Sequence, residues 1–382
     1  MSRPPETGPL AGLRVLELAN LYSAPLIAAL LGDLGADVVK VEPPDGEPFR
    51  ALVARDADGG PSVWTLVSRH KRMVAVDHRH PEGIAFLGRL TAAADVIVAN
   101  QPRAVLERMG CTYEAISARN HRAIMVNVSG WGDAGPYADR GGNGTIAEAF
   151  GGLTQVMTTG DEPVLSGALL GDCLTALSGT IGVLAACYWR AAAGGEGQYI
   201  EMPMFEAVMT AVAPQIVSFR PGEAPKAGSG LRRVLRTADG RWVVATAYTA
   251  AQIVRLLEAV GVDASDPGGL DALVSEWVGR HDLDTVMAAF TETRIPSTPV
   301  NDVGALLADA HVQARGAVVE AESPVHGPVR LPRPTPHLTR TPGTPAGFAE
   351  RPLGADTAAV CADWLGLSAD EIDGLREAKV LV

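Results

Sequence analysis

The chain has 382 residues, 47% of them apolar and 20% charged, with a formal net charge of −12 at neutral pH. That length can bury a large core and suits two domains or one elaborated domain. The acidic balance argues against a nucleic-acid coat or a membrane-surface patch, which need clustered positive charge, while local anion sites stay open.

In chain order, the opening "MSRPPETGPLAGLRV" carries no apolar signal region, the pattern of a cytoplasmic protein. "GLRVLELA" reads as a short strand, and Pro25 falls in the first turn of the helix that follows. That helix stops near Gly32 to Gly35, and "ADVVKVE" is a second strand. Strand, helix and strand in this order form a βαβ unit with parallel strands. "MVAVD" continues as a strand, "PEGIAFLGRLTAAA" as a helix opening on Pro81, and "DVIVAN" and "AIMVNVS" as two more strands. The fold class is therefore α/β, with a doubly wound, parallel, Rossmann-like sheet in a large domain over residues 1–220. Its first βα turn, "ELANLYSAP", has no glycine before Gly32. The GxGxxG fingerprint is absent, which disfavours a nicotinamide or flavin enzyme of the usual kind.

A long helix follows Asp172. Leu174, Leu177, Ile181, Leu184 and Tyr188 recur in steps of three and four as its apolar face. Thr175, Ser178, Gly179, Gly182 and Ala186 form a small-residue face that lets another backbone approach. Interrupted by Ser178, Gly179 and Gly182, it reads as a buried helix rather than a membrane span. "AAAGGEGQ" ends it and "YIEM" is a further strand. Residues 221–230 are rich in Gly, Pro and Ala and read as a linker. Residues 221–325 read as a smaller α+β domain. It opens on a hairpin with an Asp239-Gly240 turn, and helices follow around 250–260 and 269–291. In 326–382, "PVRLPRPTPHLTRTPGTP" reads as an extended surface strap without regular structure, followed by C-terminal helices returning to the large domain. The cysteines Cys111, Cys173, Cys187 and Cys361 show neither CxxC nor Cys/His spacing, so free thiols and no metal are expected.

Two features bear chemistry. Asp172 is the lone charge between Ser166 and Trp189, at the junction of a loop with the long helix. It can cap the first turn, or it can stay ionised there and attack a carbonyl; a helix start favours the anion in both cases. Gly167 and Gly171 leave room for a ligand beside it. The second feature is the basic run "SRHKRMVAVDHRH", holding Arg69, His70, Lys71, Arg72, His78, Arg79 and His80. It is either solvated loop charge or a seat for phosphates, to which Lys40 and Arg108 could add. No GxSxG elbow, HExxH or P-loop is present.

These blocks together resemble the family III CoA-transferases, which include formyl-CoA transferase and carnitine CoA-transferase and share a fold with α-methylacyl-CoA racemase. The opening "LAGLRVLELAN…AP…LGDLGADVVKVEPP", "HKRMVAVDHRHPEG" and "ADVIVANQPRAVLERMG" carry the likeness. So do "LLGDCLTALSGTIGVLAACYWR…GEGQYIEM", "IPSTPVNDV" and "RPLGADT". Each block is loose alone, but their order is specific and spans nearly the whole chain.

The resemblance implies that Asp172 is the catalytic nucleophile of an acyl-CoA:carboxylate CoA-transferase. It implies passage through an aspartyl mixed anhydride and an aspartyl-CoA thioester. It places coenzyme A against Leu21, Tyr22 and Ser23, against Val76, Asp77, His78 and Arg79, and against Asn100, Gln101 and Arg108. Gln101 stands where an aromatic is common, and Pro43 where some members have arginine, so Lys40 and Arg72 are the expected substitutes at the phosphates. The acyl pocket is expected from loops near Tyr22, Trp131, Tyr137 and Met157. An interlocked homodimer is implied too. The racemases of the superfamily carry a His-Asp pair where this chain has Asn143 and Gly144, which favours transfer over proton abstraction. The alternatives are a racemase-like or intramolecular CoA-transferase isomerase, and a non-catalytic CoA-binding protein.

Overall fold

The structure is a computed structural model describing residues 8–53, 63–222, 230–261, 269–343 and 350–382. Of the linker expected at 221–230, residues 223–229 lie outside them. Six strands form the main sheet: β1 Arg14–Leu18, β2 Asp37–Glu42, β3 Lys71–Ala75, β4 Val96–Ala99, β5 Ile124–Ser129 and β6 Tyr199–Pro203. Every pairing is parallel. The order is β3-β2-β1-β4-β5-β6, the doubly wound arrangement expected from the alternating elements. β1, β4 and β5 are near-continuous runs of buried Val, Ile, Leu and Met because helices cover both faces of such a sheet. The order of strand addition reverses between β1 and β4, which run parallel, and this opens a crevice at their carboxyl ends.

The helix Ser23–Asp33 follows β1 and is almost entirely buried. Alongside it runs the long helix Leu170–Ala193. The small-residue face of the long helix is the one another element approaches. Thr175, Ala176, Gly179, Thr180, Val183 and Ala186 are inward, while Leu177, Ile181 and Tyr188 are exposed by 54%, 67% and 76%. The small residues face inward because the first helix comes so close: a Cβ on Gly179 would stand 2.5 Å from Cδ1 of Ile27. By length and composition alone this helix could cross a membrane.

The chain divides into two compact units, residues 1–218 with 317–382, and residues 219–316. In the second, β7 Leu231–Arg236, β8 Trp242–Ala247 and β9 Ser297–Pro299 form an antiparallel sheet. It packs with helices Ala250–Ala259, Leu270–Arg280 and Leu283–Glu292 around Leu256, Val278 and Phe290. The helix expected over 269–291 is two helices, because Asp282 caps the second by accepting the Thr285 N–H at 2.8 Å.

The strap is also partly regular. β10 Val318–Ser323 pairs antiparallel with β11 Gly327–Pro332, so the second boundary falls at 316–317 rather than 325. Prolines 328 and 332 are tolerated because each strand of a two-stranded ribbon is an edge. The C-terminal segment covers the open edge of β3: Asp356 exchanges bonds with Met73, and Val382 donates to the Ala75 carbonyl.

Candidate active site

At the reversal between β1 and β4 the chain builds a rigid loop. Asn100, just past β4, accepts the Asn20 N–H at 2.9 Å and donates to the Asn20 carbonyl at 2.8 Å. Gln101 donates to the Leu18 carbonyl at 3.3 Å. Leu21 takes a positive φ of 65°, uncommon for a branched residue. Ser23 then enters the first helix directly below the crevice.

Asp172 is the third residue of the long helix, and it does not cap it. The first-turn amide of Gly171 donates instead to Oε1 of Glu148 at 2.8 Å, and Ser166 donates to Oε2 at 2.6 Å. Glu148 comes from the short helix Gly144–Phe150 and is 4% exposed. With the cap supplied from elsewhere, the Asp172 carboxyl points at Gly144, where a Cβ would stand 2.0 Å from its Oδ2. Burial pushes Asp172 up to about 6; the Ser23 side chain opposes the shift and the Glu148 charge adds to it.

A cavity of about 580 Å³ opens over this carboxyl, lined by Leu21, Ser23, Asn100 and Gln101. Tyr113, Asn127, Asp133, Arg140 and Tyr199 line it too. Tyr199 donates to Asp133 at 2.6 Å, and burial with that carboxylate raises its phenol well above the usual range. Two arginines line the space. Arg103 pairs with Glu107 and Glu114. Arg140 lies 3.8 Å from the Tyr137 ring centroid and has no carboxylate partner among the described residues. A second, smaller cavity of about 120 Å³ is lined by Asn20, Pro43, Glu47, His78 and Gln101.

The sequence-derived residues separate accordingly. Asp172, Leu21, Ser23, Asn100 and Gln101 meet around the larger cavity, and His78 and Gln101 share the smaller one. Tyr22 is turned toward the Cys173 sulfur, 3.9 Å away. Val76 is fully buried, so any contact it offers is through the backbone. Asp77 and Arg79 pair with each other at 2.8 Å on the surface. Arg108 is exposed on the helix Arg103–Met109 and lines neither cavity.

Lys40 and Arg72 do not serve as phosphate contacts in this arrangement. The Lys40 ammonium spends its three donors on Glu17, Glu47 and the Ala19 carbonyl, all within 2.8 Å, and is 1% exposed. Arg72 sits at the amino end of β3, away from the crevice, forked onto Asp37 with Asp363 as a further partner. Arg69 and His70 pair with Asp33, and Lys71 with Glu17. The first half of the basic run is thus neither a solvated loop nor an anion seat. It is internal charge neutralised by carboxylates placed far away in sequence.

Sequence reasoning missed Arg140, Tyr199 and Glu148. Only Arg140 leaves a trace, as a cation in the glycine-rich "DRGGNG". Trp131, Tyr137, Phe150 and Phe205 cluster with ring centroids 4.8–6.3 Å apart. The Trp131 and Tyr137 rings pack there and are not walls of the larger cavity. Among the described residues, no three His, Cys, Asp or Glu side chains group to hold a metal ion, and all four cysteines are free.

The architecture and this cavity define a doubly wound α/β protein with a half-buried carboxylate at the switch of its sheet. The chain belongs to CoA-transferase family III, whose model matches residues 10–357. It is 34% identical over 400 residues to the succinyl-CoA–L-malate CoA-transferase alpha subunit of Chloroflexus aurantiacus, covering 98% of this chain and 92% of that one. It is 30% identical over 408 residues to the succinyl-CoA–D-citramalate CoA-transferase of the same species, covering 99% of each. Among solved structures, a CAIB/BAIF family protein from Brucella suis superposes with a TM-score of 0.80. The two are 28% identical, with 94% of this chain and 100% of that one covered.

Proposed function

We propose that the protein moves coenzyme A from an acyl-CoA to a free carboxylic acid, with Asp172 as the covalent relay. The observation that carries this is the state of Asp172: released from capping by Glu148, half-buried, raised to about 6 by desolvation, and open to the larger cavity. Such a carboxylate is still mostly ionised at neutral pH, yet more basic than a solvated one and so a better nucleophile. An Asp172 oxygen attacks the thioester carbonyl and the C–S bond breaks, giving a mixed anhydride and CoA thiolate. The thiolate attacks the aspartyl carbonyl, forming the aspartyl-CoA thioester and releasing the donor acid as carboxylate. The acceptor carboxylate then attacks that thioester, thiolate leaves again, and its return to the new acyl carbonyl regenerates Asp172.

The names of the relatives support a four- or five-carbon dicarboxylate as donor or acceptor, with succinyl-CoA as the first substrate to try. Arg140 supplies the unpaired positive charge that a ligand's anionic group needs in the larger cavity. The smaller cavity, walled by Pro43 and His78, is the place we assign to the nucleotide end of CoA. The exposed apolar face of the long helix supports a homodimer, measurable by sedimentation. Free thiols suit a cytoplasmic setting.

Racemisation is the weaker reading. Asn143 is occupied in accepting the Ile146 N–H at 3.1 Å, and Gly144 has no side chain. No base stands there to take an α-proton. Incubation of succinyl-CoA with labelled malate tests the proposal. Label in a new thioester, lost in Asp172→Ala, supports it; α-carbon exchange with solvent and no new thioester contradicts it.

A further inference from the structure

We infer that Glu148 is a positioning residue for Asp172: it takes the helix terminus that Asp172 would otherwise cap and so leaves the Asp172 carboxylate facing the cavity. The inference rests on Asp172 being the reacting carboxylate.

The first turn of a helix has amides without intrahelical partners, and a nearby carboxylate usually satisfies them. The long helix has Leu169 at its cap position, which offers no acceptor. Asp172 is on the first turn and is its one acidic residue. Left alone, it is the natural ligand of that end. Glu148 pre-empts it. One carboxylate oxygen takes the Gly171 N–H, the other takes Ser166, and the loop from Ser166 to Gly171 is thereby stitched to the short helix before it. The approach is close: a Cβ on Gly171 would meet the Gly144 carbonyl oxygen at 2.5 Å and Cγ of Glu148 at 3.1 Å. That geometry admits glycine at 144 and 171 and a long acidic side chain at 148.

A carboxylate in this place does more than tie a loop. The groups facing Asp172 are Tyr22 at the end of the loop after β1, Ser23 at the start of the first helix, Cys173 from its own helix, and Glu148 from the short helix. Of these, Glu148 is the one whose charge adds to the rise in Asp172. Desolvation is the main cause of the raised Asp172, and the Glu148 carboxylate, set against the positive end of the helix, adds to it.

The experiment reads the ionisation of Asp172 without substrate. Carbodiimide labelling of full-length protein is followed at the peptide containing Asp172, by mass spectrometry, across pH 4–8. Glu148→Gln removes the charge and keeps the shape, and its labelling midpoint is expected to fall, by less than desolvation raises it. The acid limb of kcat/KM for succinyl-CoA transfer is expected to move with it. Glu148→Asp keeps the charge but withdraws the side chain from Gly171. It is expected to hold the midpoint near that of the wild type while kcat drops about tenfold or more and KM stays. If both variants keep the wild-type midpoint and kcat, Glu148 is only structural and the inference fails. A fully active Asp172→Ala would instead remove the catalytic reading beneath it.

Discussion

Asn100 bonds both backbone polar groups of Asn20, accepting its N–H at 2.9 Å and donating to its carbonyl at 2.8 Å. One side chain thus splints the carboxyl ends of β1 and β4 where the sheet reverses, and Leu21 to Ser23 hang from that splint. Asn100→Ala leaves a part-buried donor and acceptor unmatched, which costs about 1–3 kcal/mol. Urea unfolding should show that loss, and KM for the acyl-CoA should rise because the loop is no longer held. Wild-type values of both would mean the splint does not set the loop.

Lys40 lies inside the protein between Glu17 and Glu47, each 2.7 Å away. Removing one member of a buried charge network strands the others, at about 3–5 kcal/mol. Lys40→Met should therefore unfold at much lower denaturant, while its folded fraction keeps the wild-type KM for acyl-CoA. A stable variant with selectively weakened acyl-CoA binding would restore Lys40 as a phosphate contact.

Asp172 weakens the fold it serves. Its folded value of about 6 lies above the ordinary 3.8, so the native state holds a proton that the unfolded chain releases between those limits. Above that window the ionised carboxylate is disfavoured by its partial desolvation; below it the difference disappears. Asp172→Asn should be more stable than the wild type at pH 7.5, on the order of 1–3 kcal/mol, with the gain shrinking as pH falls toward 4. Calorimetry at three pH values measures this. A destabilised Asp172→Asn at pH 7.5 would contradict the burial argument.

Arg140 has the Tyr137 ring beneath it and no carboxylate partner among the described residues. Losing a charge-assisted contact costs about 1.5–3 kcal/mol, so Arg140→Ala should raise one KM at least tenfold with little change in melting temperature. A change confined to the acceptor acid places Arg140 at the distal carboxylate, and one confined to the acyl-CoA places it at a phosphate. No change in either removes it from the site.

The sheet was legible in the sequence because parallel strands buried on both faces read as short apolar runs, from "RVLEL" to "IMVNVS". Asp172 was legible because a lone charge before a long apolar helix demands an explanation. Charge inside the core was not. Lys71 and Arg72 look like surface residues in the linear chain, and only the fold brings Glu17, Asp37 and Asp363 to them. The small-residue face of the long helix was legible too, because only residues such as Gly179 admit the close approach of Ile27. Glu148 left no local signal, since its partner Gly171 is 23 residues away.

The covalent state of Asp172 during turnover tests the account most directly. Protein mixed with succinyl-CoA, quenched with hydroxylamine and digested, should yield the peptide containing Asp172 as its hydroxamate. Borohydride should reduce the same side chain to the alcohol, and neither product should form without acyl-CoA. If the protein transfers CoA to an added acid at full rate and Asp172 is recovered unmodified under both reagents, the relay through Asp172 is wrong.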